Sequence, residues 1–321
     1  MDNILLKEKN LVVPLMGING IHQSETTIWQ NLTDAGTQYK TIKELVTKYQ
    51  PDGMFAMMDL AVEAEALGLK ISKQENETPA VLEHSVSTKD DVDQLRARWK
   101  GISGRMPVFI EVVKRMAAEL DILIGAHVIG PFTLAGELMG VGELTMNTIL
   151  DPDFIHTCLD FSVEIISEYT QALFAAGANV VSILEPTAMM ISSDHFNEFS
   201  AKPFKRILAN VNNKPLILHI CGNTTHLIES MGKTGAAGLS VDWQVNMADS
   251  ITMIPQDVAL IGNLDPVQVF LNATPDEVKV ATRELKETMR GNNNFILSSG
   301  CDLPLETPPD NLTAYMKAAR E

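Results

Sequence analysis

The chain has 321 residues, 45% of them hydrophobic and 21% charged, with a formal charge of −16 from 41 acidic and 25 basic side chains. That composition supplies a large apolar core and excludes a disordered chain, and the length admits one large α/β unit or two ordinary domains. An acidic surface without a basic stripe repels phosphate backbones, so nucleic acid is not expected as a partner.

In chain order, the N-terminal segment carries Asp2, Lys7, Glu8 and Lys9, which breaks any signal-peptide apolar region. No uncharged run approaches the roughly 20 residues needed to span a bilayer, so a cytoplasmic protein with no membrane partner is expected. Short runs rich in Val, Ile and Leu then predict eight strands: 11–16, 53–59, 122–129, 179–185, 215–221, 238–243, 258–263 and 295–300. Several are apolar on both faces, as strands of a covered parallel sheet must be.

Between the strands lie amphipathic segments. One helix is expected from Asp153 to about Ala176, with Gly177 as its C-terminal cap. Another starts at Pro275, with Thr274 as N-cap and Gly291 as its stop. The polar stretch 72–107 reads as an insertion or cover after the second strand. No repeat, low-complexity tract or linker divides the chain. The expectation is therefore a single (β/α)8 TIM barrel domain over 1–321, whose chemistry sits on the loops after the strands. A doubly wound open sheet is the alternative, disfavoured because no GxGxxG turn follows the first strand.

Three cysteines, Cys158, Cys221 and Cys301, are too few and too scattered for a disulfide framework. His219 and Cys221 end the fifth predicted strand in LILHICGN, two residues apart, so their side chains point the same way. Cys301 follows the eighth in LSSGCD. One imidazole and two thiolates form a borderline-soft set suited to Zn²⁺, and three protein ligands leave a fourth position for substrate. The plainer reading stays open on spacing alone: a histidine satisfied at a strand end and two core cysteines. Cys158, inside a predicted helix, reads as core.

The local sequences LHICGN, GLSVDW, GNLDP and SSGCDLPLETPPDNL resemble the uroporphyrinogen decarboxylase superfamily, and more narrowly its corrinoid-dependent, methylcobamide:coenzyme M methyltransferase-like branch. DLAVEAEALGL (59–69) and GANVVSILEPTAMM (177–190) are similar to further blocks of that branch. The resemblance implies zinc on His219, Cys221 and Cys301. It also implies a methylated corrinoid, carried on a partner corrinoid protein, as methyl donor, and a small thiol such as coenzyme M as acceptor. Two cysteinates cancel the charge of Zn²⁺ and keep electron density on an incoming thiolate, which suits a sulfur nucleophile better than activation of water.

The decarboxylases of the superfamily are the rival reading. They place an arginine-rich segment after the first strand, whereas PLMGINGIHQSE (14–25) has none and Arg96 is the first arginine of the chain. A non-catalytic subunit that docks a corrinoid protein is a third possibility. Asp242, in SVDW, is a candidate catalytic group, to orient substrate or to hydrogen-bond a ligating histidine; a loop-capping carboxylate is the plain alternative. Asp59 (at the position of a decarboxylase aspartate), Glu185 (where the family usually has aspartate) and Asn263 are candidate substrate contacts. Asn263 and Asp265 also fit as caps of the following helix, and His127 as a structural residue. Met57, Met58, Met189 and Met190 lie near strand ends, as apolar mouth or as filler.

Overall fold

A computed structural model describes residues 3–321, and Asp2 of the N-terminal charge run lies outside them. Seven parallel strands form one sheet in chain order: β1 (Gly53–Phe55), β2 (Leu123–Ile129), β3 (Val180–Leu184), β4 (Leu216–Ile220), β5 (Gly238–Val241), β6 (Ala259–Leu264) and β7 (Phe295–Ser299). β3 and β4, built mostly of Val, Ile and Leu, are buried at every position.

The run 11–16 is not a strand of this sheet but a single parallel bridge, Val12 to Leu297. Its backbone nonetheless touches both edges. Val13 N–H donates to Leu297 O at 2.9 Å, and Asp52 N–H donates to Val12 O at 3.0 Å. Pro14 is the physical reason the pairing stops, since it has no N–H, and Met16 N–H turns back to Pro14 O. The second predicted strand, 53–59, is likewise shorter than expected. The Gln38 side chain accepts from Met57 N–H and draws the chain off the ladder there.

Helices pack outside the sheet. Those used below are α1 (Ala35–Tyr49), α2 (Lys89–Arg98), α3 (Met106–Glu119), α4 (Pro131–Met139), α5 (Pro152–Ala175), α6 (Pro275–Thr288) and α7 (Pro309–Arg320). In α5, Asp151 caps Phe154 N–H and Pro152 presets the first turn. The helix buries Phe161, Ile165 and Tyr169 almost completely, at about 1.5–3 kcal/mol for each large apolar side chain. In α6, Thr274 and Glu277 form a reciprocal capping box, and the helix ends at Thr288, a turn before Gly291. The segment 72–107 contains α2, is tied back at its start by a bridge from Val81 to Ile71, and its end delivers Arg105 just before α3.

Two apolar cores result. The larger lies between sheet and helices, and Cys158 is part of it. The smaller lies against the other face of the sheet, where Val13, Phe55, Val180, Ile217, Ile261 and Ile296 meet. Ile217 and His219 alternate with outward residues on β4, so the face that packs this inner core also carries His219. Among the described residues no helix is long and apolar enough to cross a membrane.

Candidate metal centre

β4 ends on His219 and Ile220, with Cys221 immediately beyond, and β7 ends two residues before Cys301. The structure brings the three predicted ligands together. His219 Nε2 lies 3.0 Å from Cys221 Sγ, Cys221 Sγ 3.3 Å from Cys301 Sγ, and Cys301 Sγ 3.8 Å from His219 Nε2. His219 is buried, while both cysteines keep some exposure. Two glycines hold the loops in place. Gly222 has φ +83°, a left-handed turn that redirects the chain after Cys221. Gly300 lets the turn before Cys301 close on the loop after β5, where a Cβ would stand 2.5 Å from Trp243 N.

The donor chemistry fits a zinc ion. A tetrahedral centre with bonds of about 2.0–2.3 Å sets its N and S ligands roughly 3.6–3.8 Å apart, so the trio needs to spread by only a few tenths of an ångström. The cysteines already behave as one unit. The Cys221 S–H bonded to Cys301 pulls the Cys301 thiol down, with His219 adding to it, while the same contact and burial push Cys221 up.

Ser240 was not foreseen from the sequence. It is the register partner of His219 across β4 and β5, and its Oγ lies 2.8 Å from His219 Nδ1. With Nε2 facing the sulfurs, Nδ1–H donates to Ser240 and fixes the ring. Asp242 does not make that contact. Its Oδ1 accepts from Gln244 N–H at 3.1 Å, a loop-capping role, and it lies close enough to the cysteines to disfavour a second thiolate. Asn263 donates to Asp242 O and Val245 O, at 2.9 and 2.7 Å, and so ties the β5 and β6 loops together. Asp265 caps the N–H groups of Val267 and Gln268.

Glu185 is fully buried at the end of β3. Its carboxylate accepts from Phe132 N–H, Thr133 N–H and Thr133 Oγ1–H at 2.8–3.0 Å, which caps the N-terminus of α4. Burial still raises it to about 7. Asp59 pairs with Arg105, whose Nε donates to Glu65, so Asp59 is enclosed by an arginine from the polar insertion. His127 stacks on Phe55 with ring centroids 4.8 Å apart, and burial, then the charge of His219, pushes it down to about 3. Met57 is buried, whereas Met189 and Met190 are exposed after β3, with Met189 lying over Gly222.

Comparison with known proteins identifies the family. The family model for uroporphyrinogen decarboxylase (URO-D) matches residues 33–321. A methylcobamide:CoM methyltransferase MtbA from Methanosarcina acetivorans is 30% identical over 272 residues, 82% of this chain and 77% of its own length. A uroporphyrinogen decarboxylase from Prochlorococcus marinus is 27% identical over 297 residues, 88% of this chain and 82% of its own. Among solved structures, a methyltransferase from Methanosarcina mazei superposes with a TM-score of 0.88 at 25% identity, covering 98% of this chain and 96% of that one. The chain belongs to the uroporphyrinogen decarboxylase family and, within it, to the methylcobamide:coenzyme M methyltransferase-like branch.

Proposed function

We propose that this chain is a zinc-dependent methyltransferase that moves a methyl group from a methylated corrinoid, presented by a partner corrinoid protein, to a small thiol. The observation that carries the reading is the convergence of His219 Nε2, Cys221 Sγ and Cys301 Sγ at the C-terminal end of the sheet. Counting the bridged segment at Val12 as an eighth strand, the sheet reads as a (β/α)8 barrel, and this is the end where such barrels hold their chemistry.

Zn²⁺ held there supplies the acidity that converts a thiol, with an ordinary pKa of about 8.5, into a thiolate at neutral pH. The chain's own residues prepare the place. Ser240 fixes the His219 ring, Asn263 locks the loop carrying Asp242, and Gly300 lets Cys301 approach Cys221. The substrate step balances simply. The sulfur lone pair forms the S–CH₃ bond as the Co–C bond breaks, its electron pair stays on cobalt as Co(I), and the thiol proton leaves to solvent. Met189 and Met190 give the mouth an exposed apolar rim against which a corrinoid can rest. Decarboxylation of an acidic porphyrinogen is poorly served: residues 14–25 hold no arginine, and Arg105 is already paired with Asp59 and Glu65.

The test is to incubate zinc-loaded protein with methylcobalamin and a thiol, following cobalt by absorbance and the thioether by mass spectrometry. Thioether should form in step with Co(I), and Cys301→Ser should abolish both. Equal turnover in Cys301→Ser, or decarboxylation of uroporphyrinogen in place of methyl transfer, would contradict the proposal.

A further inference from the structure

None of the chain's 25 lysines and arginines falls in residues 14–27, 56–69, 130–150, 185–201, 221–232, 242–258, 265–278 or 300–316. These segments leave the C-terminal ends of the seven strands and of the bridged run before them, so together they build the mouth around His219, Cys221 and Cys301. The same segments contribute Asp59 and Asp242, together with Asp302, whose carboxyl is pushed well above the usual carboxylate range by burial and then by the charge of Cys301. Cations gather instead at the opposite end of the sheet. There a cleft of about 730 Å³ beside the start of β7 is lined by Lys9, Arg283, Lys286, Arg290 and Arg320.

From the insertion after β1, Arg105 does reach the mouth end. It is buried, shared between Asp59 and Glu65, and so carries no surplus positive charge. Lys70, nearby in sequence, pairs with Glu83 on the surface. A ligand with a second negative charge entering this mouth loses its hydration, meets like charge and finds no lysine or arginine on the segments that build it, Lys73 of the insertion lying over the Trp29 ring instead. The cost adds to that of bringing a thiolate to a centre that already holds two.

We infer that the methyl acceptor is a small thiol whose other end is neutral or cationic, and that a sulfonate thiol of the coenzyme M kind is the poorer substrate. The inference rests on the methyl-transfer reading and deepens it by naming the acceptor's charge class. It departs from the coenzyme M activity by which the methanogen relatives are named.

Three thiols on one two-carbon skeleton isolate the charge: 2-aminoethanethiol, 2-mercaptoethanol and 2-mercaptoethanesulfonate. Each rate, with zinc-loaded protein and methylcobalamin, is divided by that thiol's uncatalysed rate at the same pH and ionic strength. The sulfonate should fall at least about tenfold below the other two, and the gap should shrink at high salt. Met189→Lys, which sets a cation beside Gly222 at an exposed position, should narrow it. A second readout needs neither metal nor turnover. In the reduced, metal-free protein, iodoacetate should alkylate Cys221 and Cys301 several-fold more slowly than iodoacetamide, relative to the same reagents on a free thiol. A sulfonate thiol methylated as fast as the others, or iodoacetate undiminished, overturns the inference and leaves methyl transfer standing. Failure to methylate any thiol overturns the methyl-transfer reading and this inference with it.

Discussion

The trio His219, Cys221 and Cys301 and the ion network Asp59, Glu65 and Arg105 both sit at the C-terminal end of the sheet, one around β4 and β7, the other after β1. In the trio, three donor atoms face one another within 4.8 Å, and two of their residues remain partly open. In the network, the guanidinium is clamped between two carboxylates, and Arg105 and Asp59 are buried. Soft donor atoms that converge, two of them thiols able to give up their protons to a metal, mark a place for a cation. Charges that already cancel one another mark scaffold. Burial of charged groups alone nominates the network and passes over the trio.

Substitutions can break this contrast, and the largest effect falls on the trio. Cys221→Ala is expected to lower thiol methylation at least about 10³-fold, yet shift the urea unfolding free energy of the metal-free protein by no more than about 1 kcal/mol. A large loss of metal-free stability would make Cys221 a core residue. Arg105→Met reverses the pattern. It leaves Asp59 uncompensated and is expected to cost about 3–5 kcal/mol in a urea melt with zinc content unchanged. Zinc lost at unchanged stability would move Arg105 into the centre.

A smaller effect comes from Glu63, beside the network. It is buried, and its Oε1 accepts from Ile129 N–H at 2.9 Å. Burial raises its pKa from 4.5 to about 8, so the folded chain keeps a proton that the unfolded chain releases first. The stability this lends is complete below pH 4.5 and is lost as pH rises through about 8. Glu63→Gln should therefore flatten the fall in unfolding free energy over that window, by a few kcal/mol. An unchanged slope would show that Glu63 ionises normally. The smallest effect is that of Ser240→Ala, which frees the His219 ring and is expected to weaken zinc binding about 10–100-fold in chelator competition.

Much of this was legible in the sequence, and the exceptions have physical causes. Seven of the expected strands are present, and in β3 to β6 the apolar run is buried on both faces. The run at 11–16 failed as a strand because a proline sits inside it, a signal that outweighs its hydrophobicity. The candidate trio was readable because His219 and Cys221 share a face by local spacing and Cys301 follows closely on a strand. Ser240 was hidden because its partner is set by register between strands, which spacing within one strand does not report. Glu185 was placed at a strand end, but its bonds to α4 depend on a helix more than 50 residues earlier. Arg105 was overlooked because it ends a polar insertion read as cover, and only the folded chain brings it to Asp59.

The most direct test of the central claim is X-ray absorption at the zinc edge of the purified, tag-free protein, before and after addition of a methyl-accepting thiol. The account predicts about one zinc per chain with one imidazole and two sulfur ligands, and a third sulfur when the thiol is present. A protein that takes up no zinc under reducing conditions, or whose sulfur count stays at two with thiol present, would contradict it.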